Sequence, residues 1–177
     1  ASLRSDCKFR GAVVVGKKIV FAPYRADVIG ILDTAANDGS ASVMSTVSLQ
    51  DKVSDGLKFV GAAVVGSKVY FAPDNADVVG VYDTTANNGQ GEFDTISLEG
   101  KVLGRNKFSG AAVVGDKVYF APLDAGMVGV VDTGANEGAG AFHVLSMEDK
   151  VEVGALFQGA AAVKNKVYFA PYSAECI

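Results

Sequence analysis

The phrase Phe-Ala-Pro, repeated at a nearly fixed spacing, constrains the fold of this chain more than any other feature. It places the prolines of the chain at positions 23, 73, 122 and 171, so the repeat lengths are 50, 49 and 49 residues. Three copies are complete, and the fourth, which begins at Lys166, stops where the sequence stops. A period near 50 residues is typical of propellers, solenoids and related arrays.

Each repeat has the pattern of four short β-strands, A to D, separated by glycine and Asx residues. In the third repeat these strands are predicted at Phe108 to Gly115, Lys117 to Pro122, Met127 to Thr133 and Ala141 to Met147. No stretch of ten residues has the periodicity of an amphipathic helix. Four antiparallel strands in about 50 residues match one β-propeller blade, and a solenoid, with shorter coils and parallel strands, is the alternative.

The residue types at each strand fit the geometry of a blade. Strand A, which crowds against its neighbours at the axis, carries small residues at Gly11-Ala12, Gly61-Ala62, Gly110-Ala111 and Gly159-Ala160. Aromatic residues recur at the start of strand A and on strand B, at Phe9, Phe59, Phe108, Phe157, Phe21, Phe71, Phe120 and Phe169. We expect these rings to fill the space between blades, since each buries a large apolar area.

The stretch "KVYFAPDNADVVGVYDTTANN" resembles the repeats of YVTN-class and kelch-like β-propellers, in which a strand "VYV" precedes a short loop and then "V.VIDT.TN". The Asp-Thr and Asn positions match in three copies, at Asp33-Thr34 and Asn37, Asp83-Thr84 and Asn87, and Asp132-Thr133 and Asn136. The aromatic-asparagine end of strand B in that class is replaced here by Phe-Ala-Pro. The resemblance implies a propeller and no particular activity, because such repeats serve many functions.

The first residues align with strand D of the later repeats, whereas the fourth repeat lacks its outer strands. The sequence therefore predicts an all-β, four-bladed propeller whose ring is closed when the N-terminal strand completes the C-terminal blade. The whole chain, 1–177, is one domain in this interpretation. Its blades cover about 8–50, 58–100, 107–148, and 157–177 together with 1–7.

The two cysteines lie near opposite ends of the chain, and this closure would bring Cys7 and Cys176 to one face of the composite blade. We predict a disulfide between them, which neighbouring strands allow, and two free thiols are the alternative. A disulfide would favour a secreted protein or an oxidising organelle lumen. A monomer is favoured because small strand-A residues suit a tight axis. A head-to-tail dimer with eight blades, cross-linked between chains, is the alternative.

Composition excludes several classes of partner. The net charge is −4 and the charges are scattered, whereas binding to a nucleic-acid backbone normally requires a basic stripe. No apolar run approaches the roughly 20 residues that cross a bilayer. We therefore expect neither a nucleic-acid partner nor membrane insertion.

The motifs that carry catalysis are weak in this sequence. The "DTxANxG" loops place Ala35, Thr85 and Gly134 where a calcium loop needs an oxygen ligand. We expect their aspartates to cap the turns between strands C and D. The single histidine, His143, is predicted to lie on the surface, and no nucleophile elbow or zinc motif is present. The sequence predicts no cofactor and no metal site, and it favours a non-enzymatic protein.

The residues that differ between copies provide the candidate binding site. They follow Phe-Ala-Pro and the strand-A phenylalanine, and both sets should lie on one face, because strand A begins where the B–C loop turns. The candidates are Arg10, Tyr24, Arg25, Asp74, Asn75, Ser109, Asp124, Gln158 and Tyr172. The residue just before strand A is lysine in three copies and Leu156 in the fourth.

From this pattern we predict a binding or scaffold module that uses one propeller face for a protein or carbohydrate partner. Two alternatives remain open. One is a propeller hydrolase or lactonase-like enzyme with a metal near the axis, and the other is a structural subunit of a larger assembly.

Overall fold

The computed structural model describes residues 7–35, 43–49, 51–54, 56–147 and 156–174, which form four antiparallel sheets. The first sheet contains β1 (Phe9–Val15), β2 (Lys18–Pro23), β3 (Val28–Asp33) and β4 (Val43–Ser48). The second contains β5 (Phe59–Val65), β6 (Lys68–Pro73), β7 (Val78–Asp83) and β8 (Glu92–Ser97). The third contains β9 (Phe108–Val114), β10 (Lys117–Pro122), β11 (Met127–Asp132) and β12 (Ala141–Ser146), and the fourth contains β13 (Phe157–Val163) and β14 (Lys166–Pro171).

Each sheet is a meander whose strand order in space follows the order in the chain. The A and B strands pair with the same register in every blade. In the first blade Phe9 lies opposite Pro23 and Ala12 opposite Phe21, with a bulge between them. Single turns of helix at Ala86–Gly89 and Asn136–Gly138 interrupt two of the C–D connections. No helix in the described ranges is long and apolar enough to cross a membrane.

The strand-A glycines let the blades approach closely at the axis. Strands β1, β5, β9 and β13 lie side by side in that order. A Cβ on Gly61, whose φ is +81°, would lie 2.9 Å from the Cα of Gly110, and one on Gly11 would lie 2.7 Å from the Cα of Gly61. Only glycine tolerates both this backbone and this contact. The prediction of an all-β propeller of four blades with small axial residues is confirmed.

Paired phenylalanine rings support each blade. The ring centroids of Phe59 and Phe71 are 5.7 Å apart, and the same pair recurs in the other three blades at 5.7 or 5.8 Å. Phe93 packs edge-on against Phe59 at 6.5 Å. One buried cluster joins these rings to Val20 and Ile29 of the preceding blade. The prediction that the phenylalanines fill the space between blades is therefore confirmed for the second, third and fourth blades, whereas Phe9 and Phe21 of the first blade are half-buried.

The Asp-Thr pairs close the connections between strands C and D. Asp83 Oδ1 accepts a hydrogen bond from Thr85 N at 2.9 Å, and Asp33 Oδ1 accepts one from Ala35 N at 2.8 Å. Asp132 repeats this contact with Gly134 N at 3.2 Å. Burial alone would raise the pKa of Asp83, but its hydrogen bonds outweigh burial and lower that pKa. The predicted turn-capping role of these aspartates is confirmed.

The predicted ring closure involves residues 1–6, which lie outside the described residues, so it stays a prediction. Cys176 also lies outside them. Cys7 is an exposed, free thiol in the structure. The described residues therefore show no disulfide at Cys7, and its pairing with Cys176 stays a prediction.

Candidate functional site

The candidate residues lie where each B–C loop meets the start of a strand A. The loops are held there by backbone hydrogen bonds to the residue before strand A. Tyr24 N donates to Lys8 O at 2.8 Å, and Leu123 N donates to Lys107 O at 3.0 Å. We call the surface formed by loop residues 24–27, 74–77 and 123–126, together with the links 51–54, 56–58 and 101–107, the loop face.

Neighbouring blades are joined across the loop face by one repeated backbone hydrogen bond. Lys58 N donates to Tyr24 O at 2.8 Å and Lys107 N donates to Asp74 O at 2.9 Å. Leu156 N donates to Leu123 O at 2.9 Å. This ladder fixes each B–C loop against the following blade, so the loop residues are presented on a rigid support.

Buried lysines form a second connection between blades. The Lys107 side chain is 0% exposed, and its Nζ lies 3.0 Å from Asp77 Oδ1 and donates to Asn75 O at 2.8 Å. Lys58 is buried in the same way, with its Nζ 2.9 Å from Asp27 Oδ1. In both pairs the aspartate belongs to the preceding blade. We call each pair a lysine–aspartate clasp.

The third junction between blades replaces the clasp with an apolar contact. Gly126 stands at the position of Asp27 and Asp77, and Leu156 stands at the position of the two clasp lysines. Leu156 is buried against Phe157 and Ala121. The lysine and the aspartate are therefore both absent from this junction, so no ammonium is buried there without a carboxylate partner.

Asp74 is a buried carboxylate on the loop face. The residue is 2% exposed, and its Oδ2 has no hydrogen-bond partner among the residues that the structure describes. Burial raises the pKa of Asp74 above its usual value, the positive charges of Arg10 and Lys107 oppose this rise, and Asp124 adds to it. An unpartnered buried oxygen is costly unless a ligand supplies the missing hydrogen bond. Asp74 is therefore the most informative residue of the candidate site.

Polar side chains from two further segments surround Asp74. Asn106 N donates to Asn75 Oδ1 at 3.1 Å, and Asn106 Nδ2 donates to Asp124 Oδ2 at 3.1 Å. The Arg10 guanidinium carbon lies 5.3 Å from the centroid of the Tyr24 ring, within cation–π range. Residues from the first three blades therefore form one polar cluster.

The remaining candidates occupy different environments. Ser109 is buried, whereas Arg25 and Gln158 are exposed. Tyr172, on the last blade, is one of the most exposed large side chains. The structure thus brings Arg10, Tyr24, Asp74, Asn75 and Asp124 into one cluster, and it leaves Arg25, Gln158 and Tyr172 at its periphery.

A depression of about 490 Å³ adjoins this cluster between the second and third blades. It is lined by Gly56, Leu57, Asn75, Asp77, Leu103, Gly104 and Arg105. Leu103, at 79% exposed, is the most exposed of the large apolar side chains in the described residues. The depression therefore offers an apolar contact next to hydrogen-bonding groups.

A second depression, of about 560 Å³, lies at the opposite ends of the inner strands and includes Gly16, Lys17, Gly66 and Ser67. Its polar groups already serve the fold, since Thr34 Oγ1 donates to Lys17 O and Thr84 Oγ1 donates to Ser67 O. Among the side chains that the structure describes, no group of three or more His, Cys, Asp or Glu is arranged to hold a metal ion.

Asp27, Asp77 and Asn106 belong to the site but were not among the predicted residues. Asp27 and Asp77 read as ordinary loop aspartates, because their lysine partners lie about 30 residues away in the sequence. A signal was present, however. The lysine before strand A and the aspartate of the preceding B–C loop are both lost at the same junction.

No protein-family model matches the chain, and no curated protein matches it in sequence. Solved structures match its fold. A streptogramin B lyase structure has a TM-score of 0.67 and 13% identity, covering 94% of this chain and 49% of that one. An inactive virginiamycin B lyase from Staphylococcus aureus, with quinupristin, has a TM-score of 0.63 and 14% identity, covering 96% and 51%. The chain therefore spans about half the length of both.

The computationally designed Ika4 protein is similar over its full length. Its TM-score is 0.60 and its identity 15%, with 99% of this chain and 93% of that chain covered. At these identities the likeness shows the propeller fold alone. The functions named for these proteins are not transferred to this chain by the likeness.

Proposed function

We propose that this chain is a binding module whose loop face holds a protein partner, with Asp74 as the central recognition group. The observation that carries the proposal is the unpartnered, buried Oδ2 of Asp74 within a cluster from three blades. A donor group on the partner would satisfy this oxygen, and a partly enclosed hydrogen bond to a charged group contributes strongly to affinity.

A protein fits the face better than a sugar does. Leu103 is an exposed apolar anchor on the loop face, Tyr172 is a second exposed one at its periphery, and Arg105 lies beside Leu103 in the depression. Buried apolar, aromatic and arginine side chains dominate binding energy at protein interfaces. The ring of Tyr24 is already covered by Arg10, which removes one of the flat aromatic surfaces that a sugar would use.

The proposal is tested by comparing variants of the two faces. Protein isolated from the source of the chain is captured on wild type, on Asp74→Asn, on Leu103→Lys, and on Lys17→Ala at the opposite depression. A true partner binds wild type and Lys17→Ala equally. We expect its affinity, measured by calorimetry, to fall at least about tenfold for Asp74→Asn and for Leu103→Lys.

Two results would contradict this proposal. Partners that bind all four proteins equally would place recognition elsewhere on the molecule. A glycan array that yields a ligand sensitive to Asp74→Asn, with no protein partner, would identify the loop face as a carbohydrate site.

The stability of Asp74→Asn provides a separate prediction. Because the pKa of Asp74 is raised in the folded state, that state binds its proton more tightly, and stability falls as pH rises from the unfolded pKa through the folded one. We therefore expect Asp74→Asn to be more stable than wild type at neutral pH, by about 0.5–2 kcal/mol. Urea unfolding at pH 7 and below pH 4 would check this, since the gain should shrink in acid. A loss of stability at pH 7 would show that Asp74 is a structural group.

An enzyme is the second candidate, because a buried carboxyl with a raised pKa beside an arginine is a common form of general acid. The compound named with one structural neighbour, quinupristin, gives a direct test. Incubation with quinupristin, followed by mass spectrometry, would reveal cleavage that Asp74→Asn abolishes. If mass spectrometry finds quinupristin unchanged, this version of the enzyme hypothesis is wrong.

A further inference from the structure

The link between the second and third blades carries two side chains that the other links lack. Leu103 stands where the first link has Ser54 and the third has Glu152, and Arg105 stands where both of the others have glycine. All three links join strand D to strand A over the same number of residues. The repeat fold therefore requires neither the leucine nor the arginine, and their presence points to a role outside the fold.

Leu103 is an apolar side chain in contact with water. It is 79% exposed at the depression of about 490 Å³, and Leu57 of the preceding link, which is half-buried, lines the same depression. A volume of this size is in the range of sites that hold a ligand. A large apolar side chain of a partner that filled the depression would remove both leucines from water, which is favourable.

Hydrogen-bond donors without acceptors surround the depression. Arg105 is exposed, and within the described residues no carboxylate forms an ion pair with its guanidinium. The backbone N–H groups of Leu103, Gly104 and Arg105 donate no hydrogen bond to any described group. Asn75 Oδ1 accepts a hydrogen bond from Asn106 N, but its Nδ2 has no acceptor among the same residues. An occupant of the depression should therefore bring acceptors.

The positive charge of Arg105 is not balanced within the depression. The carboxylate that lines it belongs to Asp77, whose Oδ1 already lies 3.0 Å from the buried ammonium of Lys107. The two charges of this clasp offset each other, so the lining together with Lys107 has a net positive charge. Guanidinium and backbone N–H groups together are typical ligands of a carboxylate. An acidic group therefore complements the depression better than a basic one.

We propose that the depression is the docking site for an acidic, apolar segment of the partner. A large apolar side chain of that segment packs between Leu57 and Leu103, and the carboxylate of an aspartate or glutamate close to it in sequence binds Arg105. This inference rests on the proposed function, since it names the chemistry of the segment that the loop face holds. The backbone N–H groups of the link are then available to carbonyl groups of the segment.

Selection from a phage-displayed library of random linear peptides, with the purified chain as bait, tests the proposal. The enriched peptides should share a large apolar residue with an aspartate or glutamate a few positions away. A library that yields no binder would overturn the proposal. Binders enriched in lysine or arginine would overturn it too, because Asp77 and not Arg105 would then select the segment.

A synthetic peptide with the enriched sequence measures the contribution of Arg105 by fluorescence anisotropy. Its affinity should fall at least about tenfold for Arg105→Glu, because a like charge replaces an opposite one. Arg105→Lys should lose less, since it keeps the charge and removes only the bidentate geometry. Lys17→Glu, the same reversal of charge at the opposite depression, should bind the peptide as wild type does. Arg105 is exposed, so its variants should have the circular dichroism spectrum of wild type.

An exchange of charges identifies the contact. A second peptide, with lysine in place of its acidic residue, should bind wild type at least about tenfold more weakly and should regain affinity for Arg105→Glu. A lysine peptide that binds wild type and Arg105→Glu with equal affinity would show that the carboxylate does not contact Arg105, and the proposal would be wrong.

Asp74→Asn separates this inference from the function on which it rests. If both hold, Asp74→Asn and Arg105→Glu each weaken the binding of the acidic peptide. Binding that only Asp74→Asn weakens would retain the loop face as the binding surface and reject the acidic docking segment. Binding that only Arg105→Glu weakens would retain the docking segment and reject Asp74 as the central recognition group.

Discussion

Asp77→Ala is expected to lower the free energy of unfolding by about 3 kcal/mol, although the Asp77 side chain is 81% exposed. The cost arises at its partner. Lys107 is fully buried, and among the described contacts of its ammonium the carboxylate of Asp77 would be lost and the carbonyl of Asn75 would remain, with the charge of Asp74 nearby. A buried charge that loses its counter-charge destabilises a fold strongly. Urea denaturation at neutral pH measures the change.

Asp94→Ala is the matched control for this prediction. Asp94 is 76% exposed and lies 3.1 Å from Lys52, which is itself 33% exposed. Because water can solvate Lys52 when Asp94 is removed, the loss should be below about 1 kcal/mol. Equal losses of unfolding free energy for Asp77→Ala and Asp94→Ala would show that the burial of Lys107 does not increase what its clasp contributes to stability.

The third junction suggests a pair of substitutions that should restore the stability lost in Asp77→Ala. Combining Lys107→Leu with Asp77→Gly copies the natural pair Leu156 and Gly126 into the second junction. Since apolar replacement of a buried ion pair is often neutral or stabilising, this double variant should recover most of the stability that Asp77→Ala loses. Failure to recover it would mean that the hydrogen bond to Asn75 O is indispensable.

Gly61→Ala is expected to destabilise the protein by about 3 kcal/mol or more. The new Cβ would lie 2.9 Å from the Cα of Gly110, and the φ of Gly61 is +81°. Strain at such a backbone conformation costs about 1–3 kcal/mol, and forcing the inner strands apart adds a packing cost of similar size. Thermal and urea unfolding would both report the loss.

Gly66→Ala separates backbone strain from the close contact. Gly66 has a φ of +60°, and nothing described lies within 4 Å of its added Cβ. This variant should lose only the free energy that alanine needs to adopt the left-handed backbone conformation, about 1–2 kcal/mol. If Gly66→Ala were as destabilising as Gly61→Ala, the contact between β5 and β9 would not explain the axial glycines.

Features that depend on one repeat were predictable from the sequence. The strands, the phenylalanine pairs and the turn-capping role of Asp83 follow from local patterns of period two, aromatic residues and Asx turns. The axial glycines were also predictable, because the repeat places them at equivalent positions on four innermost strands.

Features that depend on which loops meet between blades were not predictable. Asp77 and Lys107 pair across a junction, and nothing local to either residue indicates the partner. Asp74 reads as a variable loop residue, yet the link into the third blade buries it, with Lys107 N donating to its carbonyl. The sequence could place Asp74 on the correct face, but it could not show that one carboxylate oxygen lacks a partner.

The difference between ionic and apolar junctions limits which blade can precede the fourth one. A first blade brings Lys8 to its junction, and the third blade offers only Gly126 there, so that combination would bury an ammonium opposite a residue without a side chain. The fourth blade brings Leu156, which would leave Asp27 or Asp77 without its lysine. The apolar third junction therefore matches the third blade to the fourth, whereas the first and second blades carry the same lysine and aspartate and are not distinguished by their clasps.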